Sequence, residues 1–278
     1  MARADDTFRA DLSWEEKAQL NPLYAVMAVS PFKDLSADPA DWSEEDLKAF
    51  FDKGQVLYDI NIRPVLRRMN APKAGGLVVE YGSGMGRLLK ALVTDGYACA
   101  GIDISPTMLA LSARLVPEAR RLYGLNEDGQ SDLPSACADF VFSYAVIQHI
   151  DSLSGVRAAL GEICRLCKPG GRIRFQIVSR ELPFAVPGRS TEVRVENREL
   201  DSVVTTTVPP TANDEAASTG SKTVTHTRWH GVPLSIVTMG SILMDHGVLV
   251  TGVAEDARSP RVYWIDGRRP CPGDAWSA

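Results

Sequence analysis

Short apolar runs alternate with amphipathic stretches through the middle of the chain. Leu77, Val78 and Val79 form an apolar run ending on Glu80, the pattern of a strand buried on both faces. Gly82, Gly84 and Gly86 follow at alternate positions, and Leu88 to Val93 then reads as a helix. Ala98 to Ile104 predicts a second strand tipped by Asp103. Ser105 then caps a helix with Pro106 at its first position and Met108, Leu109, Leu111 and Leu115 on its inner face. Arg121 to Asp128 predicts a weak third strand and Asp139 to Ser143 a fourth. A helix over Leu153 to Cys167 ends at Lys168-Pro-Gly-Gly, and Arg172 to Ser179 predicts the fifth strand. Strand and helix alternate throughout, which predicts an α/β, doubly wound parallel sheet with ligands beyond the carboxyl ends of its strands.

The flanks read differently. Asp11 to Val29 predicts a helix interrupted near Asn21-Pro22. Ser43 and Asp46 look like a capping box opening a helix at Glu44 that meets Gly54. A second helical pattern, Gln55 to Met69, carries a break at Pro64. Residues 1–75 thus predict an N-terminal helical cap over the glycine turn. From Arg180 the character changes: Glu192 to Val208 alternates Val and Thr like a β-hairpin, and 209–222 is polar and small-residue. The hairpin makes 181–228 an insert in a core spanning 76–278. After Trp229-His230-Gly-Val-Pro comes a helix near Ser235 to His246 with Gly247 as its stop. Val248 to Val253 and Arg261 to Ile265 are the last strands.

Bulk properties narrow the class. The 278 residues carry a net charge of −5, which disfavours a nucleic-acid partner. No run approaches a membrane span, and no apolar signal core follows the first residues, so a cytoplasmic enzyme is the expectation. The five cysteines are sparse and odd in number, so no disulfide framework is expected. Cys164-x-x-Cys167 reads as helix packing, and no metal site is expected.

The turn supplies the candidate chemistry. Glycines admit positive φ and close approach, and the free N–H groups at the following helix start favour an anionic group. The dinucleotide fingerprint G-x-G-x-x-G would need glycine at 87, where this chain has Arg87. Asp103, about 20 residues beyond Gly82, can accept both hydroxyls of a ribose. The acid and glycines, Glu80-x-Gly82-x-Gly84-x-Gly86, resemble the first motif of class I S-adenosylmethionine (SAM)-dependent methyltransferases. Phe-Phe-Asp-Lys-Gly-Gln at 50–55 resembles an element preceding the core in bacterial small-molecule members of that family. The last two strands resemble the antiparallel pair that ends its sheet.

The resemblance implies a Rossmann-like, mostly parallel, seven-stranded sheet and SAM as cofactor. It implies that Glu80, Gly82, Ser83, Gly84, Gly86, Asp103 and Ser143 touch the cofactor, that Ile104 and Met108 flank its adenine, and that Asp128 and Gly129 meet the adenine edge. Met108 reads equally as ordinary core, and Glu127 or Asp132 as the acid in place of Asp128. Tyr144 to Ile150 matches the segment beside the sulfonium. His149 is then the candidate general base, with His230 next and Tyr144 placing the acceptor. Each histidine also reads as a structural side chain, His149 bonded to local backbone, and for His230 that reading leads. Tyr24, Phe51, Gln148 and Trp229 are expected to line the acceptor side or the lid. The Asn/Asp-Pro-Pro-Tyr motif of amino-group methyltransferases is absent, and no carboxylate cluster suggests a magnesium-dependent enzyme. A small-molecule acceptor methylated on oxygen is the leading expectation, with nitrogen, carbon and a non-catalytic SAM-binding module as alternatives. A nicotinamide-dependent oxidoreductase is the rival class. Oligomeric state is left open.

Overall fold

A computed structural model describes residues 12–27, 41–72, 75–119, 121–179, 193–198, 201–208, 222–226, 234–256 and 262–274. The central sheet has seven strands in the order β3-β2-β1-β4-β5-β10-β9. They are β1 (Val78–Tyr81), β2 (Cys99–Asp103), β3 (Arg121–Gly124), β4 (Ala138–Ser143), β5 (Cys167–Val178), β9 (Leu249–Glu255) and β10 (Val262–Arg268). The first five are parallel to one another, and β10 runs antiparallel to both β5 and β9. This is the expected doubly wound, mostly parallel sheet with its antiparallel end.

Alternation along the strands divides the core in two. Val79, Val141, Ile173, Phe175 and Ile177 face α7 (Leu153–Leu166) and α8 (Ile236–Asp245), packing against Val156, Leu160, Ile163, Met239 and Leu243. Val78, Phe140 and Phe142 face the other side, against α3 (Glu44–Asn61), α4 (Arg63–Arg68) and α5 (Arg87–Thr94), with Tyr58, Leu66, Leu88 and Leu92 as partners. All four residues of β1 are buried, as an apolar run in the middle of a parallel sheet requires. A third cluster joins Leu23, Phe50, Met85, Met108 and Leu111. It binds the N-terminal helices α1 (Trp14–Leu20) and α2 (Pro22–Met27) and α3 to α6 (Pro106–Leu115).

Several boundaries differ from the sequence expectation. Ser43 caps the helix, its hydroxyl accepting from Asp46 N–H and donating to the Asp46 carboxylate in place of the reciprocal backbone bond of a capping box, and the helix runs through Gly54 to Asn61 instead of stopping. Gly54 is a close-approach residue. A Cβ there would sit 2.4 Å from Arg87 Cγ and 2.6 Å from the Arg87 carbonyl oxygen, so the glycine lets α3 cross the start of α5. The break falls at Ile62, just ahead of Pro64. The third strand ends at Gly124, because Asn126 closes a turn by accepting from the N–H groups of Asp128 and Gln130. The fifth strand begins at Cys167, since Gly170 N–H and Gly171 carbonyl oxygen pair with Arg269 beyond β10. The insert has the expected hairpin, β6 (Val193–Arg198) with β7 (Asp201–Val208), and a third antiparallel strand β8 (Lys222–His226) that the sequence reading left unassigned. Cys164 and Cys167 are buried, and burial pushes both thiols up to about 12, as expected of packing residues.

Gly54→Ala is expected to destabilise the fold by about 1–3 kcal/mol, the usual cost of forcing atoms into a closed contact. Urea unfolding of wild type and variant checks it; equal midpoints would contradict the close-approach account.

Candidate functional site

Three adjacent strands, β2, β1 and β4, present their carboxyl ends together. The chain leaves β1 at Tyr81 and enters the glycine turn, with Gly82 and Gly86 at φ 78° and 81°. A Cβ on Gly82 would sit 2.2 Å from Val146 Cγ2, so the loop after β4 lies directly on the turn. The N–H groups of Gly82 and Ser83 both donate to the Ile102 carbonyl oxygen, at 2.7 and 2.9 Å. Asp103 then holds the turn from the neighbouring strand tip. One carboxylate oxygen accepts from Gly84 N–H at 2.7 Å and the other from Ser105 N–H at 2.9 Å. Burial lifts the Asp103 carboxyl above its ordinary value, and the backbone donors of Ser105, Gly84 and Ile104 oppose the rise.

Glu80 lies beneath the turn and is 3% exposed. Its Oε2 and the Ser83 hydroxyl are buried without a hydrogen-bond partner among the described residues. Burial pushes the Glu80 carboxyl well above its ordinary value; the Arg87 guanidinium pulls the other way and Asp103 adds to the rise. Bare backbone, a strand-tip carboxylate and two unsatisfied buried polar atoms together suit a ligand carrying hydroxyls and a cationic amine.

Arg87 opens α5 and is held between two rings, 5.7 Å from the Phe50 centroid and 5.8 Å from that of Tyr144. Tyr144 in turn stacks on Trp264 at 5.8 Å, and the Arg174 guanidinium lies 4.5 Å from the Trp264 ring centroid. This column joins helix α3, the glycine turn, the loop after β4 and strand β10. Along that loop Ala145 adopts φ 57° and Ile147–His149 form a 3-10 turn. Gln148 is buried, with its Oε1 unpartnered among the described residues. His149 meets the edge of the Trp14 indole, ring centroids 5.3 Å apart.

The N-terminal helices roof this site. Ser13 and Glu16 form a reciprocal capping box that starts α1. Glu15 reaches across to the start of α6, accepting from the hydroxyls of Ser105 and Thr107, at 2.5 and 2.6 Å, and from Thr107 N–H at 3.2 Å. Burial alone would raise its carboxyl; these donors and Gln19 outweigh it and bring the value down to about 2. Val26 of α2 lies over Gly84, 3.1 Å from where a Cβ would stand.

Of the residues singled out in the sequence, Glu80, Gly82, Ser83, Gly84, Gly86 and Asp103 lie together, and Tyr144, Gln148 and His149 lie on the loop that Gly82 touches through Val146. Ile104 is 62% exposed beside Asp103, whereas Met108 is core. Ser143 spends its hydroxyl proton on the Tyr81 carbonyl oxygen at 2.9 Å. Asp128 is exposed, and Gly129 sits against Ala158 of α7. Phe51 is half-buried, edge-on to Phe50 at 5.2 Å. The Tyr24 side chain, Trp229 and His230 lie outside the described residues. Four contributors escaped the sequence reading. Trp14 and Glu15 carried a signal, the Ser13-x-x-Glu16 box; Arg87 was read only as a missing glycine; and Trp264 had no local signature.

Residues 79–175 match the family model described as a methyltransferase domain. The demethylmenaquinone methyltransferase of Tropheryma whipplei (strain Twist) is 26% identical over 131 residues, 47% of this chain and 54% of that protein. The malonyl-[acyl-carrier protein] O-methyltransferase of Serratia marcescens is 30% identical over 111 residues, 40% of this chain and 42% of that protein. The chain thus spans about half the length of the curated relatives it matches. Among solved structures, Streptomyces venezuelae DesVI superposes with TM-score 0.51 at 17% identity, covering 83% of this chain and 99% of that one. A SAM-dependent methyltransferase from Clostridium acetobutylicum gives 0.51 at 12%, covering 79% and 99%. At these identities the likeness is one of fold.

Because the Glu15 carboxyl sits below its ordinary 4.5, the latch is expected to contribute fully above that pH and to be lost as pH falls toward about 2. Hydrogen exchange of the α1 amides, corrected for intrinsic rates, is expected to show protection falling with acid in wild type. Glu15→Gln is expected to start less protected and to respond little. The same acid response in both would remove Glu15 as the latch.

Proposed function

We propose, from the premise that residues 79–175 are a methyltransferase domain set in the class I methyltransferase fold, that this chain transfers a methyl group from SAM to a small-molecule acceptor. The acceptor is a hydroxyl or carboxylate oxygen, and the setting is cytoplasmic specialised metabolism. The observation that carries the reading is the pairing of Asp103 with the glycine turn above a buried, unpartnered Glu80.

When bound, SAM supplies an electrophilic methyl on a sulfonium. The acceptor oxygen would bond to that carbon as the carbon–sulfur bond breaks, the sulfur keeping the electron pair. The residues present fit this ligand. Asp103 would accept from the ribose hydroxyls while its bonds to Gly84 and Ser105 hold the turn. Glu80, ionised once an ammonium group is beside it, fixes the amino acid end. Exposed Ile104 would cover one face of the adenine, with Asp128 and Gly129 available to its edge. The chain has no need of a covalent step: the cap 1–75 and the insert 181–228 enclose the pair and align acceptor with methyl, which supplies much of the rate through proximity. His149 takes the proton when the acceptor is a hydroxyl; a carboxylate, ionised near pH 4, needs no base. Tyr144, braced between Arg87 and Trp264, places the acceptor. The name of the Serratia marcescens relative, an O-methyltransferase, supports oxygen as the acceptor atom. Among the described residues, no helix is long and apolar enough to cross a membrane and no metal cluster is found.

Asp103→Ala is expected to weaken SAM binding at least about tenfold, or about 1.4 kcal/mol, by equilibrium dialysis. Unchanged affinity would contradict the cofactor reading. With methyl-labelled SAM, His149→Ala is expected to slow a hydroxyl acceptor by about 100-fold or more while leaving a carboxylate acceptor within a few-fold of wild type. Equal slowing of both would remove His149 as the base.

A further inference from the structure

A second recess of about 250 Å³ lies at the other end of the sheet. Arg172, in its wall, is level with Phe140 and hence with Val78, the first residue of β1, whereas the glycine turn follows the last. The other walls include Val65 and Arg68 of α4, Met69 just beyond it, Thr251 of β9 and Asp266 of β10.

The charges there are unbalanced. Arg172 and Arg268 stand directly opposite each other across the antiparallel β5–β10 pair, and like charges so placed repel. Arg174, two residues along β5, shares their face. Two carboxylates answer this group, and both are taken. Asp266 accepts from Arg174 Nη1 at 2.6 and 2.7 Å, and Asp274 pairs with Arg268 at 3.0 Å. Arg174 also keeps a buried Nε without a hydrogen-bond partner. That leaves Arg68 and Arg172, both lining the recess, without a carboxylate partner among the described residues. Arg68 closes α4, where the helix dipole favours a cation. Arg172 has no such reason: it is half-buried, on an inner strand, facing a second arginine. A chain with net charge −5 has acids to spare, yet among the described residues the one acid in the wall, Asp266, is taken by Arg174.

We propose that this recess binds the oxyanion group of a small molecule, phosphoryl or carboxylate, between the guanidinium groups of Arg172 and Arg68. Planar guanidinium forks match either oxyanion with paired hydrogen bonds. Val65 and Met69 offer apolar surface to the rest of the ligand, and Thr251 a hydroxyl. The volume, a little below the roughly 300 Å³ at which drug-sized sites begin, suits one anionic head with a short apolar body. The site is separate from the glycine turn, so its occupancy is independent of the methyl-transfer reading.

The test is calorimetry and thermal unfolding of the full chain with inorganic phosphate and with acetate, against chloride at equal ionic strength. The expected result is a saturable rise in melting temperature with one of the two oxyanions, weakened at least about tenfold in Arg172→Gln. A stronger response to phosphate assigns a phosphoryl ligand and a stronger response to acetate a carboxylate. No saturable response to either, or an equal response in the variant, would overturn the proposal. Should Arg172→Gln not fold, Arg68→Gln, altered at an exposed side chain, carries the same comparison.

Discussion

The structure depends on one carboxylate. Asp103 ends the second strand and accepts from Gly84 N–H on one oxygen and Ser105 N–H on the other. The first bond sets the height of the glycine turn over β2. The second starts α6, whose capping hydroxyl, on Ser105, is the one that Glu15 of the roof accepts from. Turn, helix and roof are therefore hung from a single side chain. Burial works against its charge, so the backbone donors around it are what keep it an acceptor.

The opposite wall of the site is held by packing of charge on rings. Arg87 lies between Phe50 and Tyr144, with Tyr144 on Trp264, so a cation is sheltered by ring faces. Gly54 makes this geometry accessible by letting α3 approach Arg87. The loop after β4 is pinned from two sides, by Tyr144 in the column and by Val146 against Gly82. The groups that would face an acceptor, Gln148 and His149, thus sit on a stretch braced at its start and covered by Trp14.

Local chemistry was legible where it is periodic or capped. The buried run into Glu80, the three glycines, the Asp103 strand tip and the Ser43 and Ser105 caps were all readable from spacing alone. What sequence hid was contact between distant segments. Gly54 reads as a helix stop until Arg87 is seen against it. Ser143 reads as a ligand contact, and its hydroxyl donates to the Tyr81 carbonyl oxygen of β1, a bond that spacing does not announce. Trp264 sits 120 residues beyond Tyr144 (264 − 144) and declares no partner in its own neighbourhood. The early start of β5 was missed because Lys168-Pro-Gly-Gly has turn composition, and only pairing with Arg269 makes it a strand.

The most direct measurement is a calorimetric titration of the purified chain with S-adenosylhomocysteine, then with NAD and NADP. The account predicts micromolar binding of S-adenosylhomocysteine, at about −8 kcal/mol, and none of either nicotinamide. Binding of NAD or NADP alone would contradict it, because the turn from Gly82 to Gly86 would then be holding a pyrophosphate.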